Sequence, residues 1–270
     1  MPRSIWSGAI SFGLVNVPIK LYSAVSPKDV RFNQLEASTG QRIKQKRVSA
    51  VTGEEVSYED IVKGYEVGPD TYVAIEPSEL DALDPKATKS IDIEDFVDLD
   101  QIDPIYFERP YYLVPDKGGA KPYVLLLEAM KETNKIGIAR LVLRTKQYLA
   151  AIRPLGNALV LETLLYVDEV VSPDEIDELP DPDEIELSDR ELKIAKQLID
   201  AQTTEFDPSR YRDTYRERVL DLIEQKASGQ TIAAAPASEE PTRVVDLMAA
   251  LEASVAAARE AKSAAEKKGA

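Results

Sequence analysis

The chain has 270 residues, of which 44% are hydrophobic and 30% are charged, and its formal net charge is −15. This composition is typical of a globular protein that can bury a sizeable core in one or two domains. Because it contains neither cysteine nor histidine, disulfides, thiolate and imidazole metal sites and Ser-His-Asp catalysis are excluded. The first residues do not have the pattern of a secretory leader, and no apolar run approaches the roughly 20 residues of a membrane span. We therefore expect a cytoplasmic protein.

The negative charge is concentrated in one part of the chain. Residues 1–160 hold 20 basic and 22 acidic residues, whereas residues 161–230 hold 8 and 20. Residues 168–191 contain twelve acids and one base, Arg190. The N-terminal part is therefore nearly neutral and has room for a basic surface, which the charge of the whole chain conceals. The acidic run is typical of a solvated connector, and mimicry of a nucleic acid is the alternative.

Alternating apolar residues predict strands through most of the first 160 residues. In residues 9–24 the alternation changes parity, which predicts a strand with a bulge or bend near Leu14–Val15. Short helices are predicted at Ser78–Leu83 and Lys121–Thr133. Many strands with few helices between them favour an α+β protein built on a mostly antiparallel β-barrel. The other predicted strands are Val30–Leu35, Arg42–Val48, Thr71–Ile75, Ser90–Val97, Tyr111–Pro115, Ile136–Gln147, Tyr148–Pro154 and Ala158–Leu165.

Helical periodicity replaces strand alternation after the acidic run. Ser188 and Glu191 have the spacing of a capping box, which predicts the start of a helix. A second helix is predicted from about Asp213 to Gly229. Residues 230–242 are small, polar and interrupted by proline, and this composition predicts a flexible linker.

The C-terminal segment is rich in alanine and predicts one more helix. Leu247, Leu251 and Val255 lie along one apolar stripe of that helix. The stripe is too narrow for the helix to be stable alone, and we identify no local surface on which it packs. We therefore predict that it binds another protein, with a tail that frays in solvent as the alternative.

One stretch in the N-terminal part is purely basic. Residues 40–53, GQRIKQKRVSAVTG, contain Arg42, Lys44, Lys46 and Arg47 and no acid; we call this stretch the basic segment. Its first three cations occupy even positions and would share one face of a strand. Such a row can follow a phosphate backbone, because duplex DNA carries one charge per ~1.7 Å of its axis.

A second basic row is predicted on the strand Ile136–Gln147. Arg140, Arg144 and Lys146 have the same parity and would lie on the face opposite the apolar residues. The two basic rows together predict a binding surface for DNA. Solvated outer faces of edge strands, where lysine blocks aggregation, are the alternative.

Long segments along the chain share their pattern with one protein family. They are SIWSGAISFGLVNVPIKLYSA (4–24), RIKQKRV (42–48), EEVSYEDIVKGYE (54–66), YYLVPDKGGAKPYVLL (111–126), ELKIAKQLID (191–200), FDPSRYRDTYRERVLDLIEQK (206–226) and DLMAALEASVAAA (246–258). In this order, and over nearly the whole chain, they resemble the bacterial Ku family.

The resemblance implies a homodimeric ring that threads onto broken ends of double-stranded DNA. It implies a β-barrel core with a bridging extension (1–185), a helical dimerisation arm (186–229), and a linker with a partner-binding helix (230–270). The family starts non-homologous end joining and recruits a dedicated ATP-dependent ligase. The implied protein is not an enzyme, has no cofactor and no membrane partner, and acts at DNA breaks in the nucleoid.

The candidate site residues combine the patterns above with this resemblance. The DNA-binding candidates are Arg42, Lys44, Lys46, Arg47, Arg140, Arg144, Lys146 and Arg153. The candidates for the dimer interface are Tyr211, Tyr215, Val219, Leu222 and Ile223. The ligase-binding candidates are Leu247, Leu251 and Val255. No catalytic residue and no metal ligand is assigned.

Two other classes of function stay open at this point. A metal-assisted hydrolase would use the carboxylates of Asp92, Glu94, Asp98 and Asp100, although the alternation of the first two with isoleucine is also that of a half-buried strand with a solvated face. A scaffold that binds no DNA is the other alternative. Binding to linear but not to closed circular duplex distinguishes a ring from both.

Overall fold

A computed structural model of the chain describes residues 3–83, 89–143, 146–229 and 247–268. The chain forms two compact units. The first comprises residues up to 28 together with residues 32–172, and the second comprises residues 29–31 and the chain from 173 onward.

The first unit is built on a closed barrel of seven strands. Their order around the barrel is β1-β2-β6-β9-β8-β7-β5, and every neighbouring pair is antiparallel except β1 with β5. The predicted mostly antiparallel barrel in an α+β protein is therefore confirmed. The strands are β1 Trp6–Phe12, β2 Val15–Ser23, β3 Lys63–Gly68, β4 Thr71–Ile75, β5 Ser90–Val97, β6 Phe107–Pro115, β7 Ile136–Leu143, β8 Lys146–Leu155 and β9 Ala158–Leu164, with β3 and β4 forming a separate hairpin.

Helices occupy the predicted positions. They are α1 Pro77–Leu83, α2 Ala120–Thr133, α3 Asp189–Gln202, α4 Thr214–Ala227 and α5 Leu247–Lys268. The predicted capping box opens α3: the amide of Glu191 donates to Ser188 Oγ at 3.2 Å, and the amide of Ser188 donates to the Glu191 carboxylate at 2.8 Å. Asp213 caps α4 by accepting a 2.9 Å hydrogen bond from the amide of Arg216.

Two predicted strands are in fact hairpins. The parity change in residues 9–24 is a tight turn between β1 and β2, where Phe12 pairs with Val15 and Gly13 takes a left-handed φ of 57°. Of the predicted bulge or bend near Leu14–Val15, the bend is therefore confirmed, as a full reversal of the chain, and the bulge was wrong. The predicted strand Ile136–Gln147 was also wrong, because β7 ends at Leu143 and the antiparallel strand β8 begins at Lys146, its pairing partner. Alternation alone does not show where a chain reverses if apolar residues continue through both strands.

The main core fills the barrel and is covered at one end by α2. Ile10, Ile19 and Leu161 are fully buried inside the barrel. Four residues of α2, namely Tyr123, Leu126, Leu127 and Met130, belong to the same cluster. The helix packs against β2 and β8, so it closes the barrel with its apolar face.

A smaller apolar cluster lies on the opposite face of the barrel wall. Ile136, Ala151 and Leu164 form its buried part, and each has the parity that points away from the main core. Residues of the 97–107 segment, including Ile102 and Phe107, pack against it. This part of the wall is therefore covered by protein on both sides.

In the second unit α5 packs against α3. Val255 is 7% exposed and Leu251 is half-buried, while Arg190 of α3 forms a 2.9 Å ion pair with Glu252 of α5. The expectation that the tail stripe has no local surface to pack on was therefore wrong. Contacts between helices about 50 residues apart in sequence are not visible in the periodicity of either one.

Candidate nucleic-acid interface

The basic segment lies in an irregular extension of the first unit, residues 32–58. The predicted strands Val30–Leu35 and Arg42–Val48 are not formed as regular ladders. The extension has only two isolated bridges instead, Leu35 with Arg42 and Val48 with Glu55. Residues 42–48 are therefore held at their two ends and lack a continuous partner strand.

Backbone hydrogen bonds close a turn on each side of residues 42–48. The amide of Glu36 donates to the carbonyl of Gln41 at 2.8 Å, and the amide of Ser49 donates to the carbonyl of Glu54 at 2.8 Å. Gly40 and Gly53 complete these turns with φ values of 67° and 73°, a conformation that costs glycine little. The two turns present all four cations of the basic segment on the surface.

Three of the four cations have a partner within the extension. The guanidinium of Arg42 donates to the amide oxygen of Asn33, and that of Arg47 lies over the ring of Tyr58 at 5.2 Å. Lys46 pairs with Glu55 at 2.5 Å. Within the described part of the chain Lys44 makes no ion pair and no side-chain hydrogen bond, so it is available to a ligand.

The candidate cations of the barrel wall are held by acids. Arg140 pairs with Glu94 at 3.3 Å. Arg153 makes two hydrogen bonds to Glu162, at 2.8 Å and 3.1 Å, with side-chain exposures of 25% and 15%. These pairs neutralise charges that were predicted to face phosphate.

Lys146 is held from two sides. It pairs with Glu169 at 3.0 Å and lies over the ring of Tyr148 at 5.2 Å. The hydrogen bond to Glu169 raises the pKa of Lys146. The pKa of Glu169 is lowered, first by the amide of Tyr166 and then by Lys146, so both groups are charged at neutral pH.

The two described members of the row predicted on residues 136–147, Arg140 and Lys146, do not share a face. Arg140 lies on β7 with the parity of the smaller cluster, whereas Lys146 begins β8 and has the parity of Tyr148, which packs against the main core. The two cations therefore belong to different faces of the wall. Arg144 lies outside the described residues.

The carboxylates considered for a hydrolase are engaged individually. Glu94 pairs with Arg140, Asp98 pairs with Lys135 at 2.7 Å, and Asp92 accepts a 2.9 Å hydrogen bond from Ser90. Over the part of the chain that the structure describes, no group of three or more acids is placed to hold a metal ion.

The candidate dimer residues are mostly exposed. Tyr211 and Tyr215 are 70% and 76% exposed, Leu222 and Ile223 are 39% and 41% exposed, and Val219 is half-buried. No residue of α4 is buried. The apolar face of this helix is thus open to solvent in a single chain.

The candidate ligase residues differ in their surroundings. Val255 is buried and Leu251 is half-buried, in a helix that packs on α3. The side chain of Leu247 lies outside the described residues. The predicted linker, residues 230–242, also lies outside them.

Sequence reasoning missed the residues that hold the cations. Asn33, Glu55 and Tyr58 surround the basic segment, while Glu162 and Glu169 lie beside Arg153 and Lys146. The turn at Ser49–Gly53 was the available signal for Glu55, since a short hairpin places residues 46–48 opposite residues 55–57. The pair Lys146–Glu169 has no such local signal.

None of the helices in the described ranges is long and apolar enough to cross a membrane.

Comparison with known proteins identifies the family. The family model described as the Ku70/Ku80 beta-barrel domain matches residues 11–194. A protein of Anaeromyxobacter sp. (strain K), named Non-homologous end joining protein Ku, is 51% identical over 260 residues, which are 96% of this chain and 87% of that protein.

Two further relatives show the same likeness. Non-homologous end joining protein Ku 1 of Saccharopolyspora erythraea is 45% identical over 96% of this chain and 80% of its own length. Non-homologous end joining protein Ku of Opitutus terrae is 43% identical over 94% of this chain and 91% of its own length. With a closed barrel at the matched residues and this similarity over nearly its whole length, the chain belongs to the bacterial Ku family of non-homologous end joining proteins.

Proposed function

We propose that the protein binds the ends of broken double-stranded DNA as a homodimeric ring, independently of sequence, in non-homologous end joining. It acts as a binding protein and not as an enzyme, in the cytoplasm at breaks in the nucleoid. The observation that carries this proposal is the exposed basic segment, in which Arg42, Lys44 and Arg47 have no acidic partner within the described residues. The names of the relatives support it.

Contacts made by such cations are contacts to the phosphate backbone. Contacts between lysine or arginine and phosphate give affinity and position but carry no sequence information. The paired cations Arg140, Lys146 and Arg153 are secondary candidates, because each must first leave a carboxylate.

The exposed face of α4 supports the proposed dimer. A closed ring is most simply formed by two-fold symmetry, in which the same patch of both subunits forms the interface. Tyr211, Tyr215 and Leu222 supply the aromatic and apolar area that is enriched at such interfaces.

The proposed ligase contact is made by the tail. Because α5 packs on α3 through Val255, recruitment through this face requires α5 to separate from α3. Deletion of residues 231–270 should leave loading on linear DNA intact and reduce ligase binding and end joining. The double change Leu247→Asp and Leu251→Asp should have the same effect. Loss of DNA loading with ligase binding retained would place the partner contact on the core.

A gel shift with linear and closed circular duplex of the same sequence tests the central proposal. A ring that threads onto ends should bind the linear form and not the circular form, and cutting the circle should restore binding. Equal binding to both forms would show a surface binder, and binding to neither would show a scaffold.

A further inference from the structure

The four cations of the basic segment differ in whether the group that each one contacts is neutral or acidic. Arg42 contacts a neutral amide and Arg47 contacts a neutral aromatic ring, so both are oriented while their charge remains available. Among the described residues, Lys46 is the only one of the four with an acidic partner, Glu55.

The pair Lys46–Glu55 is set up by the backbone. Glu55 forms the isolated bridge with Val48, and the amide of Val56 donates to the carbonyl of Arg47 at 2.9 Å. These bonds fix Glu55 beside the end of the basic segment. The side chains of Lys46 and Glu55 are 69% and 57% exposed, so the pair lies on the surface where a phosphate would approach.

We propose that Glu55 sets the strength of the DNA contact by competing with phosphate for Lys46, an inference that rests on the proposed DNA binding. A phosphate that reaches Lys46 must displace the carboxylate of Glu55. The displaced carboxylate then stays close to the phosphate, which is also negatively charged, and the repulsion weakens binding. A ring closed around a duplex is retained by its topology, and weak individual contacts let it move inward from the end. Glu55 is thus an affinity-setting residue inside a basic site.

The test compares Glu55→Gln with Glu54→Gln by measuring the dissociation constant for a linear duplex at fixed salt. Glu54 is the neighbouring exposed glutamate, so its replacement changes the net charge by the same amount. Unlike Glu55, it makes no ion pair in the described structure. Glu55→Gln should tighten binding roughly three- to tenfold, and Glu54→Gln should tighten it less than about twofold. Circular dichroism checks that both variants keep the wild-type fold.

The same two substitutions in a Lys46→Gln background complete the experiment. The gain from Glu55→Gln should disappear there, because the cation for which it competes is absent. A gain that persists, or one that Glu54→Gln reproduces, would overturn the inference and show a general effect of net charge. If the wild-type protein does not bind linear duplex, the proposed function fails; if Lys46→Gln weakens binding but Glu55→Gln does nothing, only this inference fails.

Discussion

Individual cations in this protein differ in the partners that hold them and therefore in how available they are to a ligand. Arg42 and Arg47 are held by neutral groups, whereas Arg153 donates two hydrogen bonds to the mostly buried carboxylate of Glu162. Removal of a paired and partly buried cation leaves its carboxylate without a partner and destabilises the fold, whereas an exposed cation without an acidic partner is available to phosphate. The sequence alone does not distinguish these cations and makes all of them candidates for DNA binding.

Neutralising the basic segment should weaken DNA binding without creating sequence preference. In the variant with glutamine at Arg42, Lys44, Lys46 and Arg47, affinity for every linear duplex should fall. The slope of log K against log salt should flatten by about three to four units per subunit, because each lost phosphate contact removes about 0.9. A salt titration with duplexes of unrelated sequence measures both the affinity and the slope.

A matched control removes the same number of positive charges from surface residues outside the basic segment. Glutamine at the exposed residues Lys117, Lys121, Lys193 and Lys196 should leave the salt slope within about one unit of the wild-type value. An equal loss of slope in both variants would assign binding to the overall charge and not to the basic segment.

Arg153 should matter more for stability than for binding. Arg153→Gln leaves the Glu162 carboxylate, only 15% exposed, without its charged partner. The free energy of unfolding should fall by about 1–3 kcal/mol, less than for a fully buried pair. Urea denaturation measures the loss, and the double variant with Glu162→Gln should recover part of it. A wild-type midpoint together with a large loss of DNA affinity would make Arg153 a DNA contact.

At the scale of elements, the side chain of Tyr123 adds hydrogen bonds to the apolar packing of α2 on the barrel. The hydroxyl of Tyr123 donates to the carbonyl of Leu113 on β6 and accepts from the amide of Leu159 on β9, both at 2.7 Å. The residue is 4% exposed. Burial raises the pKa of Tyr123 above its ordinary value. The hydroxyl of Tyr123, on an otherwise apolar face of α2, thus provides the hydrogen-bond partner of one backbone carbonyl and one backbone amide on two strands.

Tyr123→Phe should therefore destabilise the barrel. It removes both hydrogen bonds and leaves a buried carbonyl and a buried amide unpaired, at a cost of about 1–3 kcal/mol. Because the pKa of Tyr123 is raised on folding, its contribution is complete below pH 10 and is lost as the pH rises through the raised value. The wild-type protein should consequently lose more stability than the variant in the alkaline range.

Urea denaturation between pH 7 and pH 11 checks both parts of this prediction. Tyr112→Phe is the control, since Tyr112 lies on β6, is 39% exposed and makes no hydroxyl hydrogen bond in the described structure. Equal midpoints for the two variants at pH 7 would show that the Tyr123 hydroxyl does not stabilise the helix.

At the scale of the whole molecule, α4 and the residues before it expose apolar side chains in the part of the chain that the structure describes. In α4 and the turn before it, Tyr211 and Tyr215 are mostly exposed, and the ring of Tyr211 stacks on that of Phe206 at 5.9 Å. Contiguous exposed aromatic and aliphatic side chains mark interaction sites. The proposed second subunit would bury them.

Light scattering should give a mass twice the 29.9 kDa of one chain. Tyr215→Asp with Leu222→Asp should shift this mass to that of a monomer and abolish loading on linear DNA, because a buried unpaired charge opposes association. Leu125→Asp, at a residue of α2 that is 64% exposed, is the control and should remain dimeric. A monomeric wild-type protein at micromolar concentration with intact DNA binding would contradict the ring.

The sequence by itself determined most of the elements and the candidate cations. The period of two in β4 and β5, the period of 3.6 in α2 and the capping box at Ser188 are local signals, and local physics decides them. The basic segment was equally visible in the sequence, because a run of cations without an acid is recognised from residue types alone.

Only the tertiary structure decided where the chain reverses and what each charge faces. The hairpins at Gly13 and after Leu143, the pair Lys146–Glu169 and the packing of α5 on α3 depend on contacts between residues that no short period connects. A carboxylate 23 residues away from Lys146 changes the properties of that cation without leaving any mark on its neighbours in the sequence. Pairing through space, not residue type, therefore determines which cations remain free to bind phosphate.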